Sequence, residues 1–531
     1  MYLVYADEMQ QMDRLTIESF GIPGRVLMES AGRGATEILL RKTSDLNHKS
    51  IGVMAGRGNN GGDGFVMARY LAQKGIKVTL YLLADKKRVA GDAAANLCLL
   101  APLDVPVIEL TDREVFLKNK EAMRNHDLWI DAILGTGLKS DVKGFFGEII
   151  KFINNSKKYI FSVDIPSGLN ADTGLPCGIA VCANATATFA FAKTGHILYP
   201  GADYTGDLEI VDIGIPPYIA DEVAPQKYLI TENMAGSYIQ PRKQDAHKGN
   251  AGHLLVIAAS TGKTGAAAMA AGSAIRAGAG LVTLGIPASL NSVLETQIIE
   301  AMTFPLPEKT AGTMGADAFV KILTLMAGKQ CLAIGPGIGT DPDTMELVCQ
   351  IIQASEIPIV IDADGLNSLA GRTDILNTLK APAVLTPHPG EMARLANITT
   401  REVQSNRISC AKEFAVKFHI HLVLKGARTI IAHPDGSVYI NPTGNPGMAS
   451  GGMGDVLTGI IAGLITQGLS IKKAAHAGVF LHGSAADCLV EKISPTGFLA
   501  TEVMNEIPQQ IKRMISKKYE KKRASFNYSI A

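Results

Sequence analysis

Residues Ser50–Gly75 read SIGVMAGRGNNGGDGFVMARYLAQKG, and this stretch decides the fold of the first half of the chain. The apolar run Ile51–Ala55 predicts a buried strand, and a glycine-rich loop follows it directly. From Phe65 the apolar residues take helical spacing, Gly75 ends the predicted helix, and Lys77–Leu83 predicts the next strand. A strand, a helix and a second strand in this order form a βαβ unit. The stretch therefore predicts a parallel sheet covered by helices.

The whole chain has 531 residues, of which 47% are hydrophobic, so we expect two to four domains with sizeable cores. A formal net charge of +1 gives no general attraction to nucleic acid or to a membrane surface. Glycine or charged residues break the apolar runs before 18 residues, so no transmembrane helix is expected. The acidic start, MYLVYADEMQQMDR, does not resemble a secretory signal.

The seven cysteines are scattered and contain no C-x-x-C pair, which favours reduced thiols and a cytoplasmic protein. The eleven histidines show no HExxH motif or other tight spacing, so a zinc site is not expected.

The glycine loop Gly56–Gly61 fits the pattern G-x-G-x-x-G and lies between a predicted strand and a predicted helix, as a dinucleotide fingerprint requires. However, Asn59, Asn60 and Asp63 add polar side chains where that fingerprint needs bare backbone. Two interpretations remain open: the loop binds phosphate or pyrophosphate, or it is only a structural turn.

Polar loops also follow the next predicted strands, Leu128–Asp131 and Tyr159–Val163. Because ligands bind beyond the carboxyl ends of strands in an open parallel sheet, we expect these loops to meet at one pocket. Asp164, between an apolar strand and a proline, is a candidate proton-transfer acid. Alternatively, Asp164 only caps the turn at the end of its strand.

The motifs GRGNNGGDG, DAILGTGL, VDIPSGLNADTG and DIGIP together resemble the NAD(P)H-hydrate epimerase domain over about residues 1–220. The resemblance implies a Rossmann-like three-layer domain, with Asp164 as the acid/base next to the reacting carbon. The residues implied to hold the hydrate are Asn59, Asn60, Gly61, Gly62, Asp63, Gly135, Thr136, Gly137, Leu138, Lys139, Ser140 and Asp141. The residues implied to lie near a bound potassium ion are Asn60, Asp131 and Ser167. Members of that family often have a tyrosine after the GTG loop, where this chain has Phe145 and Phe146.

In the second half, Ser260–Thr264 follows a predicted strand and precedes a helix, so a phosphate-binding P-loop must be considered. The P-loop pattern requires glycine at position 257, where this chain has Ile257. The sequence therefore excludes a P-loop here.

A second glycine-rich stretch, Asn441–Gly459, reads NPTGNPGMASGGMGDVLTG and contains six glycines and Asp455. A glycine turn that opens a helix aims free N–H groups and the positive end of the helix dipole at a bound anion. An acid beside that anion could take a proton from a hydroxyl during phosphoryl transfer. The alternative is a flexible loop in which Asp455 only caps the helix.

Four further strand-then-polar-loop units precede this stretch: Ala333–Gly339, Ile359–Asn367, Val384–Glu391 and His421–Thr429. His388 lies between two prolines and is rigidly presented, or it is simply a buried histidine with satisfied hydrogen bonds. Lys425 directly follows an apolar strand, where it could meet phosphate or only extend its ammonium group to solvent.

The motifs HKGNAGH, GPGIG, DADGLN, LTPHPGE, KGART and NPGMASGGMGD resemble the NAD(P)H-hydrate dehydratase, a branch of the ribokinase-like superfamily. The match spans about residues 240–510 and implies a ribokinase-like three-layer α/β/α domain. The two halves in this order imply a bifunctional enzyme that repairs hydrated nicotinamide cofactors.

The resemblance also implies a division of work. The C-terminal domain would phosphorylate the hydroxyl of the S hydrate with ADP or ATP and magnesium, after which phosphate leaves and NAD(P)H re-forms. Asp455 would accept the hydroxyl proton while the N–H groups around Gly452–Gly454 hold the phosphoryl group. Hydrate contacts are implied for Ala266, Gly337, His388 and Asp455, and nucleotide contacts for Lys425, Gly426, Ala427, Arg428, Thr429 and Gly454. The N-terminal domain would convert the R hydrate into the S form.

Two other functions stay open: an alcohol kinase of the same superfamily with a Rossmann-like regulator, and an N-terminal domain that only binds partners. We expect small-molecule substrates, a homo-oligomer, and no nucleic-acid or membrane partner. The predicted domains are residues 1–220 and 240–515, joined by a linker, 221–239. Residues 516–531 predict a basic, flexible tail, with a nucleic-acid contact as the alternative.

Overall fold

A computed structural model describes residues 1–43, 46, 48–138 and 140–527. Lys139, which was predicted to contact the hydrate, lies outside the described residues. The chain divides into two compact units, Tyr2–Gln226 and the part that begins at Lys227. The described part of the chain contains no helix that is long and apolar enough to cross a membrane.

The N-terminal unit alternates strands with helices. Its strands are β1 (Tyr2–Val4), β2 (Ser50–Ala55), β3 (Lys77–Leu82), β4 (Val107–Glu109), β5 (Leu128–Ala132), β6 (Tyr159–Val163), β7 (Ala185–Phe189), β8 (Ala192–Lys193) and β9 (Asp207–Val211). Its helices are α1 (Ala6–Leu15), α2 (Gly24–Lys42), α3 (Asn59–Gln73), α4 (Gly91–Cys98), α5 (Arg113–Arg124), α6 (Gly144–Asn155), α7 (Thr194–Ile197), α8 (Gly201–Thr205) and α9 (Pro217–Val223).

Seven of these strands form a parallel sheet in the order β4-β3-β2-β5-β6-β7-β9, and β1 pairs with β8 in parallel. Residues of α2 and α3 pack on one face of the sheet, and residues of α5 and α6 pack on the other. The chain order reverses between β2 and β5, so their carboxyl ends border the crevice in which ligands of doubly wound sheets bind.

The C-terminal unit repeats this plan. Its strands are β10 (Lys227–Leu229), β11 (His253–Ile257), β12 (Leu281–Pro287), β13 (Met302–Leu306), β14 (Glu308–Thr310), β15 (Thr313–Met314), β16 (Cys331–Ile334), β17 (Ile359–Ile361), β18 (Ala383–Leu385), β19 (His421–Leu424), β20 (Ile430–Ala432) and β21 (Val438–Ile440). Its helices are α10 (Glu232–Tyr238), α11 (Thr264–Arg276), α12 (Asn291–Gln297), α13 (Phe319–Met326), α14 (Pro342–Ala354), α15 (Asp364–Leu369), α16 (Pro389–Ala396), α17 (Thr400–Ser405), α18 (Arg407–Lys417), α19 (Met453–Thr466), α20 (Ile471–Lys492) and α21 (Ala500–Asn527).

The main sheet of this unit has the order β13-β12-β11-β16-β17-β18-β19-β20-β21-β10. Its strands are parallel except for β20, which is antiparallel to both neighbours. The chain order of the strands reverses between β11 and β16, and the loops that follow these two strands contain Ser260 and Gly337. On one face, α11 and α19 pack closely because Gly459 has no side chain. A Cβ at this position would lie 2.0 Å from the carbonyl oxygen of Ala270.

The stretch predicted as a linker is structured. The compact units divide within it, after Gln226, and it includes β10, all of α10 and the end of α9. The predicted tail begins inside α21, which is described as far as Asn527. The composition of these segments is polar, but much of the part that the structure describes, up to Asn527, forms helix or strand.

Candidate active sites

A cavity of about 1350 Å³ lies at the switch point of the N-terminal sheet. It is lined by the loop that leads from β2 into α3, by the loop after β5, and by the residue that follows β6. The predicted site residues on its wall are Asn59, Asn60, Asp63, Gly135, Thr136, Gly137, Leu138, Ser140 and Asp164. Among the predicted contacts, Gly61, Gly62 and Asp141 do not line the cavity. Asp141 is exposed and pairs with Lys143 at 3.4 Å.

Two glycines allow close backbone packing: Gly56 between the loop after β2 and the loop after β5, and Gly61 within the connection from β2 to α3. A Cβ at Gly56 would lie 2.1 Å from the carbonyl oxygen of Ile133, and a Cβ at Gly61 would lie 1.9 Å from the carbonyl oxygen of Gly56. No side chain fits at either position, since both distances are far shorter than van der Waals contact. The glycine pattern therefore serves close packing at the cavity floor.

Asp164 occupies a strained position and is paired with a buried lysine. Its φ of 62° lies in the left-handed region, which few residues other than glycine, asparagine and aspartate adopt. The Lys193 ammonium lies 2.5 Å from Asp164 Oδ1, and the Lys193 side chain is only 1% exposed. The Thr188 hydroxyl also donates to Oδ1, at 3.1 Å. Burial raises the pKa of Asp164, but the Lys193 charge and hydrogen bond outweigh it, so the pKa falls below its usual value.

Two other carboxyl groups of the cavity wall behave in the opposite way. Burial, together with the charges of Asp164 and Asp13, holds the pKa of Asp63 well above its usual range. Burial raises the pKa of Asp13 to about 6, with an opposing effect of Lys193 and a further increase from Asp164. His196 is buried, and burial and Lys193 lower its pKa to about 3, so it is neutral. The wall thus combines Asp164, whose pKa is lowered, with two carboxyl groups whose pKa values are raised.

The residues predicted to bind potassium lie at the same edge of the sheet. Asp131 is fully buried and accepts hydrogen bonds from the Ser162 hydroxyl (2.8 Å) and from the Ser167 hydroxyl (2.5 Å) and backbone N–H (2.8 Å). Burial raises the pKa of Asp131, although these hydrogen bonds oppose the increase. The buried side-chain amide of Asn60 has no hydrogen-bond partner. An unpartnered amide oxygen together with carboxylate and hydroxyl oxygens fits a cation that prefers oxygen ligands.

The two phenylalanines after the GTG loop occupy different environments. Phe146 lines the cavity. Phe145 packs against Phe116, with ring centroids 6.2 Å apart. Phe146 is thus the residue placed to contact a ligand, without the hydroxyl that a tyrosine would offer.

In the C-terminal unit, Asp455 lies in the first turn of α19, where the free N–H groups of the helix collect. Gly452 precedes this turn with a φ of 87°, a left-handed conformation that glycine adopts without strain. Burial and the negative charge of Asp362 raise the pKa of Asp455 to about 7, although Lys425 opposes the increase. The carboxyl group is therefore poised between its neutral and ionised forms near neutral pH.

Lys425 interacts electrostatically with Asp455 and with carboxylates at the ends of the neighbouring strands. Its ammonium lies 2.8 Å from Asp362 Oδ1 and 3.8 Å from Glu391 Oε2. Burial lowers the pKa of Lys425, but Asp362 and Glu391 more than compensate and the pKa is raised. A Cβ on Gly454 would lie 3.2 Å from the ammonium nitrogen, so α19 begins directly beside Lys425. The structure thus brings the lysine of the KGART loop to the glycine turn, as the sequence predicted.

His388 is the N-cap residue of α16. Its Nδ1 accepts hydrogen bonds from the backbone N–H groups of Gly390 (3.0 Å) and Glu391 (3.3 Å), and about half of its side chain is exposed. Burial and the charge of Lys425 lower the pKa of His388. Its Nε2 lies 3.5 Å from Glu391 Oε1, so Glu391 lies between His388 and Lys425. The alternative of a buried histidine is wrong, because the ring is half-exposed.

The predicted hydrate contacts Gly337 and Ala266 are neighbours. A Cβ on Gly337 would lie 3.1 Å from the Cβ of Ala266. In the same loop, the Gly339 N–H donates a hydrogen bond to Asp364 Oδ2 at 3.0 Å. The Lys263 ammonium lies 2.9 Å from the same oxygen. The negative charge of Asp364 also raises the pKa of Asp455, so the residues around this loop influence the proton affinity at the glycine turn.

The KGART loop is held by an arginine that sequence reasoning did not single out. The guanidinium of Arg407, in α18, donates to the carbonyl oxygens of Ala427 (2.5 Å), Leu424 (3.3 Å) and Lys425 (3.3 Å). Gly426 and Arg428 in this loop have left-handed φ values of 134° and 56°. Arg407 thereby fixes the path of the backbone whose N–H groups and side chains were predicted to contact nucleotide phosphates.

Sequence reasoning also missed Lys193, Asp13, Asp362 and Glu391 as site residues. Asp362 and Glu391 stand inside quoted motifs, and their positions at strand ends were the available signal. Lys193 stands in the apolar context Phe191–Ile197, where a lone lysine signals a buried partner.

These two sites define a two-domain α/β enzyme. One domain has a Rossmann-like crevice with acid/base carboxyl groups, and the other places a carboxyl group and a lysine at a glycine-rich helix start, the arrangement expected for phosphoryl transfer.

The comparisons with known proteins agree with this class. Residues 254–509 match the family model described as NAD(P)H-hydrate dehydratase, and residues 24–195 match the model described as YjeF-related protein N-terminus. A bifunctional NAD(P)H-hydrate repair enzyme from Moorella thermoacetica is 42% identical over 515 residues, which cover 97% of each chain. The chain belongs to the family of bifunctional NAD(P)H-hydrate repair enzymes.

Solved structures resemble the C-terminal part. The ADP/ATP-dependent NAD(P)H-hydrate dehydratase from Bacillus subtilis, co-crystallized with ATP/Mg2+, is 32% identical and covers 54% of this chain and 98% of its own, with a TM-score of 0.49. A ribokinase-like superfamily protein from Enterococcus faecalis is 26% identical over 54% of this chain and 96% of its own, with a TM-score of 0.48. The family models and the Moorella thermoacetica relative confirm the predicted family, and the parallel sheets covered by helices confirm the predicted α/β class.

Proposed function

We propose that this chain epimerises the R and S forms of NADH or NADPH hydrate and dehydrates the S form to NAD(P)H at the expense of ADP or ATP. The observation that carries the proposal is the position of Asp455, which lies in the first turn of α19 while Gly454 adjoins the Lys425 ammonium. Hydroxide is a poor leaving group, so dehydration at neutral pH requires that the hydroxyl be converted into a better one.

The C-terminal site supports that conversion. Asp455, with a pKa of about 7, accepts the proton of the C6 hydroxyl as the hydroxyl oxygen attacks the terminal phosphorus of the nucleotide. The N–H groups at the start of α19 and the Lys425 charge stabilise the phosphoryl group in transfer. The C6–O bond then breaks with the help of the ring nitrogen, phosphate departs, and loss of a proton from C5 restores the double bond.

Magnesium is part of the proposal as the ion that accompanies the nucleotide. Mg²⁺ usually binds substrate phosphates together with one or two carboxylates. Among the described residues no group of three or more histidine, cysteine or acidic side chains could hold a metal by itself. The ion would therefore depend on the phosphates, and near Lys425 the available carboxylates are Asp362 and Glu391.

In the N-terminal site, Asp164 is the proposed acid/base for epimerisation. The proposed hydrate contacts on the cavity wall are Asn59, Asn60, Asp63, Gly135, Thr136, Gly137, Leu138 and Ser140. Potassium would be held by Asn60, Asp131 and Ser167, whose oxygens and unpartnered amide fit it. When bound, the ion supplies a fixed positive charge beside the reacting ring.

We further expect a cytoplasmic homo-oligomer. This expectation rests on the family resemblance and on cysteines that form no disulfides. Light scattering of the purified protein tests the assembly, and a monomer at micromolar concentration contradicts it.

The central experiment is incubation of the purified chain with mixed hydrate epimers and either ADP or ATP, with recovery of the absorbance band of reduced nicotinamide as the readout. Repair converts both epimers and releases one phosphate for each NAD(P)H formed. A simple alcohol kinase would instead accumulate a stable phosphorylated hydrate, and a binding-only N-terminal domain would leave the R epimer untouched. Either result contradicts the proposal.

A further inference from the structure

The Lys193–Asp164 pair is the most buried ion pair that the described residues place on the wall of the N-terminal cavity. Lys193 Nζ donates to Asp164 Oδ1 at 2.5 Å and to the Thr188 hydroxyl at 2.9 Å, and it lies 3.4 Å from the carbonyl oxygen of Phe189. All three hydrogens of the ammonium are therefore directed within one small cluster. A lysine with 1% exposure in such a cluster is too costly to keep charged without a partner, so its charge is committed to Asp164.

We propose that Lys193 is a positioning residue of the epimerase site, which holds Asp164 ionised and oriented as the proton acceptor while Asp63 serves as the proton donor. This inference rests on the proposed epimerase function and assigns a role that the sequence motifs did not give to Lys193.

The chemistry of the substrate requires both roles. C6 of the hydrate carries a hydroxyl group and is bonded to the ring nitrogen, so it is a hemiaminal carbon. Removal of the hydroxyl proton lets the oxygen form a carbonyl while the C6–N1 bond breaks and its electron pair goes to N1, which takes up a proton. Rotation about C5–C6 and the reverse steps close the ring on the other face. Ring opening takes one proton from oxygen and delivers one to nitrogen, and ring closure takes one from nitrogen and returns one to oxygen, so no oxidant or reductant is needed.

The surroundings of Asp164 assign these roles. The charged and titratable groups that face it are Lys193 on β8, Asp63 on α3, Asp13 on α1 and His196 on α7. Lys193 is the one cation of this set, since His196 is neutral, and its ammonium contacts Asp164. Asp63 is 7% exposed, lines the same cavity and receives negative charge from two neighbours, which favours its protonated form. Two carboxyl groups of one cavity are thus kept in different protonation states.

The test is the pH dependence of kcat/KM for epimerisation of the R hydrate between pH 5 and pH 9, with the full-length protein. For the natural sequence we expect Asp164 to cause no acid limb, that is, no fall of kcat/KM toward low pH, down to pH 5, because it stays ionised. Any fall near pH 6 that comes from Asp13 should be absent in Asp13→Asn. In Lys193→Met, burial and the neighbouring carboxyl groups act on Asp164 without the ammonium. The acid limb should then move up by about 1–3 pH units, with at least about a tenfold loss at pH 6 and recovery toward pH 9.

Thr188→Val is the matched comparison, because it removes a hydrogen bond from an uncharged donor to the same oxygen, together with one acceptor of Lys193, and keeps the ammonium. It should shift the limb by less than Lys193→Met does. The dehydratase activity on purified S hydrate reports the folding of the rest of the chain in both variants.

Three outcomes would overturn the inference. A Lys193→Met profile that is lower by the same factor at every pH would show a purely structural role. A shift in Thr188→Val as large as in Lys193→Met would assign the effect to the hydrogen bond. An acid limb above pH 5.5 that persists in Asp13→Asn, which removes the carboxyl group of pKa about 6, would contradict the ionised state of Asp164, and this measurement stands even if Lys193→Met fails to fold. If the natural protein does not epimerise at all, the proposed function fails instead.

Discussion

The two candidate sites place the same residue types in opposite electrostatic arrangements. In the N-terminal unit the proposed catalytic carboxylate, Asp164, contacts Lys193 directly at 2.5 Å, and its pKa is lowered. In the C-terminal unit the lysine contacts a different carboxylate: Lys425 pairs with Asp362 at 2.8 Å, and Asp455 next to this pair has a pKa raised to about 7. An aspartate–lysine pair by itself therefore does not define an acid or a base.

The difference suits the two proposed reactions. A reversible epimerisation needs one carboxyl group that is ionised and one that is protonated when the substrate binds, because the two exchange roles when the ring closes again. A phosphoryl transfer needs an acceptor that binds the hydroxyl proton firmly as the oxygen becomes nucleophilic, and a carboxylate with a pKa near 7 binds a proton more firmly than one with a pKa near 4. The partner that the lysine contacts decides which of these the aspartate becomes.

The largest expected effect is that of Asp455→Ala. Because the variant lacks the proton acceptor, the rate of NAD(P)H formation from S hydrate and nucleotide should fall by about 10³–10⁴-fold. The rate of R-to-S epimerisation should stay within about twofold of the natural protein. Coupled loss of both activities would contradict the separation of the two sites.

The reciprocal variant is Asp164→Asn. Asparagine tolerates the left-handed backbone of this position, so the fold should persist while the acceptor is lost. Epimerisation should fall by about 10²–10³-fold, with dehydration of purified S hydrate unchanged. A variant that still interconverts the epimers at the natural rate would remove Asp164 from the mechanism.

The pH dependence of dehydration sharpens the comparison. Asp455 must be ionised to accept a proton, so the rate at saturating nucleotide should rise with pH through about 7. Asp362→Asn removes a negative charge that raises this pKa and leaves Lys425 free to act on Asp455. The acid limb should move to lower pH by about one unit. A limb that stays in place, or moves upward, would show that Asp362 does not control the proton affinity of Asp455.

The smallest expected effect is the loss of one hydrogen bond from a hydroxyl group to a carboxylate. The buried Thr458 hydroxyl donates to Asp362 Oδ2 at 2.7 Å, so Thr458→Val should lower the free energy of unfolding by about 1–2 kcal/mol. Thr466→Val is the control on the same helix, because its hydroxyl donates only to the carbonyl oxygen of Ala462 one turn earlier. Denaturant titration should show a smaller loss for Thr466→Val, and equal losses would contradict a special role for the Asp362 contact.

Much of the fold could be predicted because its signals are local. The strand Ile51–Ala55, the glycine loop and the helical spacing from Phe65 lie within one continuous stretch, and the structure has β2 at Ser50–Ala55 and α3 at Asn59–Gln73. The convergence of Asp164 with the loops after β2 and β5 follows from parallel strands, whose carboxyl ends share one edge. The polar segment 221–239 misled the prediction because tertiary packing, more than composition, orders α9, β10 and α10.

The partners that tune the carboxylates could not be predicted in the same way. Lys193 lies 29 residues beyond Asp164 and Lys425 lies 63 residues beyond Asp362, so neither pairing leaves a local pattern. The sequence shows which acids stand at strand ends, but the direction of each pKa shift depends on burial and on a charge brought close by the fold.

The backbone packing of Gly56 and Gly61 has a consequence for how this protein can vary. A Cβ at Gly56 would lie 2.1 Å from the carbonyl oxygen of Ile133, so even alanine there would force the loop after β2 away from the loop after β5. A Cβ at Gly61 would lie 1.9 Å from the carbonyl oxygen of Gly56, so alanine there would distort the connection from β2 to α3 itself. We therefore expect a mutational scan to show almost no tolerance at these two positions and much more at the exposed Arg57 between them. Variation of the first site is thus expected at the side chains that line the cavity, since these two positions admit no side chain.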